Sequence, residues 1–328
     1  MHLLGALLAV LSAATFALTN ATGRRGVISG TPAQGMVISM PVGLACFLAL
    51  ALLTGALENI GRVTALGLAS LSAAGVLHFV FGRYCNLRAT QAAGVNLTAP
   101  VMQLNSAVTL GLAVIVLREP CTMLQLSGAV LMVVGSLVTQ RETHERAAAG
   151  QAMAVLEFTP RVAAGFFFAS MAALAYGTSP IIIRQALVDA GPLGGLAGGS
   201  VAYGAATIAV AAGFLIPSFR QNVVTVTAEN ARWFVYSGVF VAAAQGFLYS
   251  ALAVAPIMVI APLLQLSLVF RFLFAAMLNP HHEVFGFLVV FGSGVSIIGA
   301  CAIAIDTQVI LSALAIPEPA ATFLRAQL

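Results

Sequence analysis

Charged residues are scarce in this chain of 328 residues, and lysine is missing altogether. Only 7% of the residues are charged, whereas a soluble domain carries about a quarter. Fourteen basic and ten acidic residues cannot cover a soluble surface of this size, which excludes an ordinary cytoplasmic enzyme. The net charge is +4, but the basic residues are all arginines scattered along the chain. They form no basic patch, so we expect no nucleic-acid partner.

Patterns that bind metals or form disulfides are also lacking. The four cysteines form no Cys-x-x-Cys pair, and most lie in apolar runs, which argues against a disulfide framework or a zinc site. His281-His282-Glu283 does not have the His-Glu-x-x-His spacing of a metal site. No Asp or Glu falls within an apolar run, which disfavours membrane enzymes that need paired or clustered aspartates and proton-coupled export of lipophilic cations. We therefore expect no metal and no other cofactor.

Long apolar runs are what the chain has in abundance: 60% of its residues are hydrophobic, and the mean hydropathy is +1.03. Runs of about 20 apolar residues are typical of membrane-spanning helices. The sequence predicts an all-α integral membrane protein with ten transmembrane helices. Pro256 separates the eighth span from the ninth, because proline interrupts a helix. The predicted spans are residues 3–22, 34–53, 64–81, 94–117, 123–138, 162–183, 193–216, 233–255, 257–278 and 284–305.

The two halves of the chain are similar when they are aligned 162 positions apart. Ala99-Pro100-Val101-Met102-Gln103-Leu104-Asn105 then faces Ala261-Pro262-Leu263-Leu264-Gln265-Leu266-Ser267. After a slip of two residues, Gly128 and Gly135 face Gly292 and Gly299. Because five spans per half is an odd number, the repeats would cross the membrane in opposite directions, as in many secondary transporters. The predicted divisions are the repeats 1–140 and 162–305, a central connection at 141–161 and a tail at 306–328.

The segment from Gly94 to Val138 resembles the second part of an EamA-type repeat of the drug/metabolite transporter superfamily. The resemblance lies in Ala99-Pro100, in Leu117-Arg118-Glu119-Pro120, and in the glycine-containing run from Leu126 to Gly135. Arg118 stands where the family pattern has glycine, and the second-half counterpart has become Leu278-Asn279-Pro280-His281-His282-Glu283. The resemblance implies a ten-helix carrier of small molecules in the inner or plasma membrane, with both termini in the cytoplasm.

Two ionisable residues, His78 and Arg271, fall well inside predicted spans. A charge within the bilayer is costly, so such residues are functional by default. Arg271 is compatible with an anion clamp, with snorkelling towards the end of its span, and with binding to backbone carbonyls. His78 is compatible with a hydrogen-bonded packing residue and with a proton relay.

The other candidate substrate-binding residues are polar groups near the predicted middle of the spans. Gln103 and Gln265 follow the helix-kinking prolines Pro100 and Pro262, and they suit either substrate binding or interhelical hydrogen bonding. Arg83, whose repeat mate is Gln245, is predicted at the membrane edge as an anchor or as an entrance to the site. The remaining candidates are Asn105, Ser267, Thr109 and Tyr249.

The sequence therefore predicts an alternating-access secondary transporter of a small polar or amphipathic metabolite, and not an enzyme. Arg271 favours an anionic group on the substrate. The alternatives are a membrane enzyme acting on lipid-linked substrates, for which the spans supply no convergent catalytic groups, and a non-transporting scaffold subunit. The expected partners are the small-molecule substrate and the lipid bilayer, and the chain would be a monomer or a homodimer.

The orientation is predicted from two arguments that disagree. The odd-numbered connections hold nine arginines, whereas the even-numbered connections and the tail hold four, which places the termini outside by the positive-inside rule. Four of the nine, namely Arg83, Arg88, Arg161 and Arg232, are compatible with cavity-mouth or helix-end positions, which leaves five against four. The family resemblance then decides, and we expect cytoplasmic termini.

Overall fold

The computed structural model describes residues 2–118, 121–148, 159–186, 194–254 and 263–326, and every regular element within these ranges is a helix. The helices of the first half are α1 His2–Ser29, α2 Pro32–Leu53, α3 Ala65–Gly75, α4 Arg83–Ala93, α5 Val95–Leu117 and α6 Met123–Ala148. Those of the second half are α7 Val162–Ala186, α8 Gly194–Ala212, α9 Pro217–Val224, α10 Ala228–Val254, α11 Leu266–Leu278, α12 Phe287–Ala304, α13 Thr307–Ala313 and α14 Glu318–Arg325. A π-helical segment, Val76–Gly82, joins α3 directly to α4.

Seven helical stretches of the described residues are long and apolar enough to cross a membrane. They are Leu4–Ser29, Pro32–Leu53, Ala65–Ala93, Val95–Val116, Val162–Ile183, Gly194–Leu215 and Phe287–Ala304. Two shorter apolar helices, Met123–Thr139 and Leu266–Leu278, coincide with further predicted spans. The all-helical, multi-pass membrane fold is thereby confirmed, whereas the ten-span inverted repeat stays a prediction.

Two spans were predicted too short because polar residues interrupt their apolar runs. The first was predicted to end at Thr22, but α1 continues to Ser29. The third was predicted to end at Phe81, but the helix continues through the π segment and α4 to Ala93. Arg83 therefore lies inside a continuous helix and is only 5% exposed, so it is a buried residue and does not end the helix as the predicted boundary implied.

The boundaries near the prolines and the central connection also differ from expectation. Pro100 lies within α5, as predicted. Pro256 and Pro262 lie outside the described residues. Helix α6 continues to Ala148 and so enters the predicted connection at 141–161. The tail folds back on the start of α6, where the Met123 amide donates to the Ala326 carbonyl at 3.0 Å.

Local sequence explains the sharp starts of two helices. Thr31 begins α2 with a capping box, since its hydroxyl accepts from the Gln34 amide and the Gln34 side chain accepts from the Thr31 amide. Pro32 at the first helical position needs no hydrogen bond for its nitrogen. Gly94 separates α4 from α5 with φ of 86°, a backbone conformation that favours glycine. This turn brings the start of α5 back against the end of α4.

Each first-half helix has a repeat counterpart in the second half, and a contact between two helices is matched by a contact between their two counterparts. We call such contacts exchanged. Helix α1 packs on α10, and the counterpart α7 packs on α3 and α4. Helix α5 packs on α7, and the counterpart α11 packs on α1. Likewise α2 packs on α10 while α8 packs on α3, and α6 and α2 pack on their own counterparts α12 and α8.

Glycine contacts between α6 and α12 follow the same exchange. A Cβ atom on Gly128 would lie 2.6 Å from the Gly299 carbonyl oxygen, and one on Gly299 would lie 2.4 Å from the Gly128 oxygen. Gly135 and Gly292 oppose each other in the same way, at 2.4 and 2.5 Å. The four glycines aligned by the repeat thus face each other crosswise, which lets the two backbones approach closely.

A second reciprocal contact joins α2 and α8. Gly43 faces the ring of Tyr203, while Gly199 faces the ring of Phe47, and either glycine would clash with that ring if it carried a Cβ atom. The two rings stack with their centroids 5.2 Å apart. Small residues therefore set the helix spacing at both contacts between matched helices.

Replacement of Gly292 by alanine tests the close packing of α6 on α12. The new methyl group would lie 2.5 Å from both the Gly135 carbonyl oxygen and the Thr139 hydroxyl, so we expect a loss of about 1–3 kcal/mol of stability, as for other overpacked interiors. Gly294→Ala in the same helix is the control, because nothing lies within 4 Å of its Cβ position. Thermal unfolding in detergent measures both, and equal stability of the two variants would contradict the proposed close contact.

Candidate functional site

A cavity of about 260 Å³ is lined by helices from both halves of the chain. Its wall comes from α1, the π segment, α4, α5, α7, α10 and α11. Most of the candidates predicted from the sequence lie in this wall, namely His78, Arg83, Gln103, Asn105, Gln265, Ser267 and Arg271. The topology therefore gathers into one place residues that are separated by up to nearly 200 positions in the sequence.

Two arginines give this cavity its electrostatic character. The Arg83 Nη2 atom donates to the Ser237 hydroxyl at 2.6 Å, but its buried Nε has no acceptor. The buried Nε of Arg271 also has no acceptor among the described residues. No Asp or Glu is among the described residues that line the cavity. Buried polar groups are nearly always paired, and the described wall supplies no carboxylate counter-ion to these two guanidinium groups.

The amide pair of the repeat forms a direct hydrogen bond. Gln103 Nε2 donates to Gln265 Oε1 at 2.8 Å, and both side chains still line the cavity. The bond between the two side chains agrees with the interhelical alternative, whereas substrate binding by either side chain stays a prediction. Asn105 and Ser267, which are also repeat mates, lie in the same wall.

One described candidate, Thr109, is not part of this wall. The Thr109 hydroxyl donates to the Asn105 and Gly177 carbonyls at 3.0 and 2.9 Å, and so ties α5 to α7 away from the cavity. The side chain of Tyr249, and Pro262 as a whole, lie outside the described residues.

His78 lies in the π segment, where it lines the cavity together with Arg83. Its Nδ1 atom is 2.6 Å from the Ser179 hydroxyl, and its ring lies 4.5 Å from the ring of Tyr176. Helical segments of the π type are rare and occur often at functional sites. The wider turn brings two residues five positions apart to one face, which the regular helical period of the sequence does not predict.

Hydrogen bonds close the cavity on the side where α1 ends. Arg83 and the Thr19 carbonyl are joined through the Ser237 hydroxyl, which donates to that carbonyl at 2.8 Å. Asn86 donates to Asn20 at 3.1 Å. These contacts tie α1 to α4 and α10. Asn20 and Asn86 were missed in the sequence because a neutral polar residue in a span does not reveal its partner.

Beyond these bonds lies a buried ion pair, which we name the Arg24 clamp and which consists of Arg24, Glu283 and their backbone partners. Arg24 Nε lies 3.5 Å from Glu283, and the guanidinium donates to the carbonyls of Thr90, Gln91 and His282. Glu283 also accepts the amides of Val95 and Asn96 at 2.8 and 3.0 Å. Arg24 is one of the nine arginines that the orientation argument counted in the odd-numbered connections. Counting it there as a free loop charge was wrong, because it is buried.

A smaller cavity of about 110 Å³ adjoins the larger one between α2, α3 and α8. The two cavities share His78, Phe79 and Gln245, so these side chains form the partition between them. Phe79 stacks on Tyr203 with the ring centroids 3.9 Å apart. No group of three His, Cys, Asp or Glu side chains within the described ranges is arranged to hold a metal.

Comparisons with known proteins agree with the architecture. Residues 3–140 match the family described as the EamA-like transporter family, which confirms the resemblance that the sequence predicted. A solved structure titled "Crystal structure of protein" is similar in fold, with a TM-score of 0.57 and 14% identity over 96% of this chain and 98% of the other. No curated protein matches the sequence.

The Arg24 clamp predicts a large loss of stability when one partner is removed. Glu283→Ala leaves the Arg24 charge buried without its counter-ion, and breaking a buried pair in this way costs about 3–5 kcal/mol. Glu318→Ala is the control, because the pair between Glu318 and Arg325 is exposed and such pairs contribute about 0–1 kcal/mol. Thermal unfolding of both variants checks this, and a Glu283→Ala variant as stable as the control would refute the role of the clamp.

Proposed function

We propose that this chain, whose residues 3–140 belong to the EamA-like transporter family, is a secondary transporter that moves a small organic anion by alternating access. The observation that carries the proposal is the pair of guanidinium groups, Arg83 and Arg271, in a cavity whose described wall has no carboxylate. Arginine is well suited to carboxylate and phosphate groups because its planar guanidinium offers several donors. A cavity of about 260 Å³ suits a metabolite and not a polymer.

The proposed architecture is two inverted five-helix repeats, 1–140 and 162–305, which together supply ten spans. The exchanged helix contacts support this, since a twofold relation converts each contact of one half into its counterpart. Contact between repeat mates also supports it, because only residues near a twofold axis touch their own mates. Gln103 and Gln265 do so at 2.8 Å, and the glycines of α6 and α12 oppose each other crosswise.

Transport would proceed by opening the cavity to one side at a time. The Arg24 clamp and the hydrogen bonds of α1 close one side, and the partition of His78, Phe79 and Gln245 lies towards the smaller cavity. The amide pair at the centre offers donors and acceptors to the uncharged part of the substrate. An enzyme of lipid-linked substrates would need a nucleophile and a base together, and the described wall offers no carboxylate base.

Arg271 is the first residue to test. We expect Arg271→Gln to reduce uptake of an organic anion at least about tenfold, since a charge-assisted hydrogen bond contributes about 1.5–3 kcal/mol. The assay is counterflow of radiolabelled pyruvate, succinate and glutamate in proteoliposomes, with thermal unfolding to show that the variant folds. Arg325→Gln, an exposed arginine of the tail, is the control. Unchanged kinetics in a folded Arg271→Gln protein would exclude Arg271 from the site.

The proposed location is the inner or plasma membrane, with both termini in the cytoplasm. Because Arg24 is buried in the clamp, it is removed from the five arginines that were left in the odd-numbered connections. Four arginines then remain on each side of the membrane, so the positive-inside rule favours neither orientation. The family resemblance then supports cytoplasmic termini. A C-terminal fluorescent-protein fusion should therefore fluoresce, and a matched alkaline-phosphatase fusion should be inactive. The opposite pair of results would reverse the orientation.

A further inference from the structure

We propose that transport is coupled to protons, and that His78 binds the proton together with the anion. This inference rests on the proposed function, because it concerns the same cavity. It makes the protein a symporter, in which the anion and the proton cross in the same direction. A monoanion would then cross as a neutral pair with its proton, and a dianion would carry one net negative charge.

His78 lies in the cavity that would hold the anion, where a co-transported proton also has to bind. It lines both cavities, and it belongs to the partition between them. Its Nδ1 atom forms a hydrogen bond with the Ser179 hydroxyl at 2.6 Å. Its Nε2 atom has no hydrogen-bond partner among the described residues, so this nitrogen is available to gain and lose the proton. The ring is held in place by contacts with Phe79 and Tyr176, at centroid distances of 4.7 and 4.5 Å.

No other described side chain in the wall can take this role near neutral pH. Imidazole is the side chain that ordinarily changes charge between pH 5 and 8. The other titratable or charged groups facing His78 are Arg83 from its own helix, Tyr176 from α7, Tyr203 from α8 and Arg271 from α11. Arginine stays protonated, and tyrosine keeps its proton until about pH 10. The described wall has no carboxylate that could carry the proton instead.

The electrostatics of the cavity couple the two ligands. A proton on His78 would place a third positive charge beside two guanidinium groups, which disfavours the charged imidazole while the cavity is empty. An anion bound between Arg83 and Arg271 compensates these charges and so favours protonation of His78. By linkage, protonation then strengthens anion binding by the same factor. The two ligands therefore bind together and leave together.

The experiment uses proteoliposomes containing the full chain and the same three labelled anions. With acid outside and neutral buffer inside, we expect wild-type protein to accumulate the anion that it exchanges, and a protonophore to abolish the accumulation. His78→Gln keeps a group that can hydrogen-bond Ser179 but cannot take up a proton. We expect it to lose gradient-driven accumulation at least tenfold, and we expect its exchange at equal pH to lose the pH dependence that wild-type exchange shows. His281→Gln, the same change at an exposed histidine, should behave as wild type.

The outcomes separate this inference from the proposed function. Wild-type exchange that ignores the pH gradient, or accumulation by folded His78→Gln equal to that of wild type, overturns the coupling and leaves the transport proposal standing. Absence of exchange of all three anions by wild-type protein overturns both. If His78→Gln does not fold, a pH-indicator dye measures proton uptake when the exchanged anion is added to purified wild-type protein. Anion binding without proton uptake then overturns the coupling.

Discussion

Compensation of buried charge is the constraint on which the arrangement of this chain depends. In a low-dielectric interior, a guanidinium group must find acceptors or a counter-ion. Arg24 satisfies this requirement with Glu283 and three carbonyls, and thereby fixes α1 against α4 and the start of α5. Arg83 and Arg271 have no carboxylate partner among the described residues of the cavity wall. The same residue type is therefore paired with a counter-ion in one place and lacks one within the described wall in two others.

Packing contacts recur between the two halves of the chain, but the charged residues do not. Glycines oppose each other crosswise between α6 and α12, and Gln103 meets its mate Gln265. Arg83, in contrast, corresponds to Gln245, and Arg271 corresponds to Thr109, which bonds to carbonyls outside the cavity. The repeated elements thus supply the packing, and the residues that differ between the repeats supply the chemistry of the cavity.

Much of the fold followed from the sequence because apolar runs are a local property. The alignment of the halves also paired Gln103 with Gln265, whose side chains form a hydrogen bond. Hydropathy ended the first and third spans too early, because it counts Arg24 and Arg83 as exposed charges. It has no information on the partners that bury them, and His282 lies 258 positions from Arg24. The π segment was missed for a related reason, since no residue type marks a wider helical turn.

For the proposed carrier, the Arg24 clamp has a consequence for the resting state. It joins helices on the side where α1 ends, whereas within the described ranges the start of α6 is joined to the tail by neutral groups, as in the hydroxyl pair of Thr122 and Thr307. Separating the clamp costs more than separating hydroxyl groups, because it exposes unpaired charge. The unloaded protein would therefore rest with its clamped side shut. Substrate arriving from the two compartments would then meet unequal apparent affinities, even though the scaffold is pseudo-symmetric.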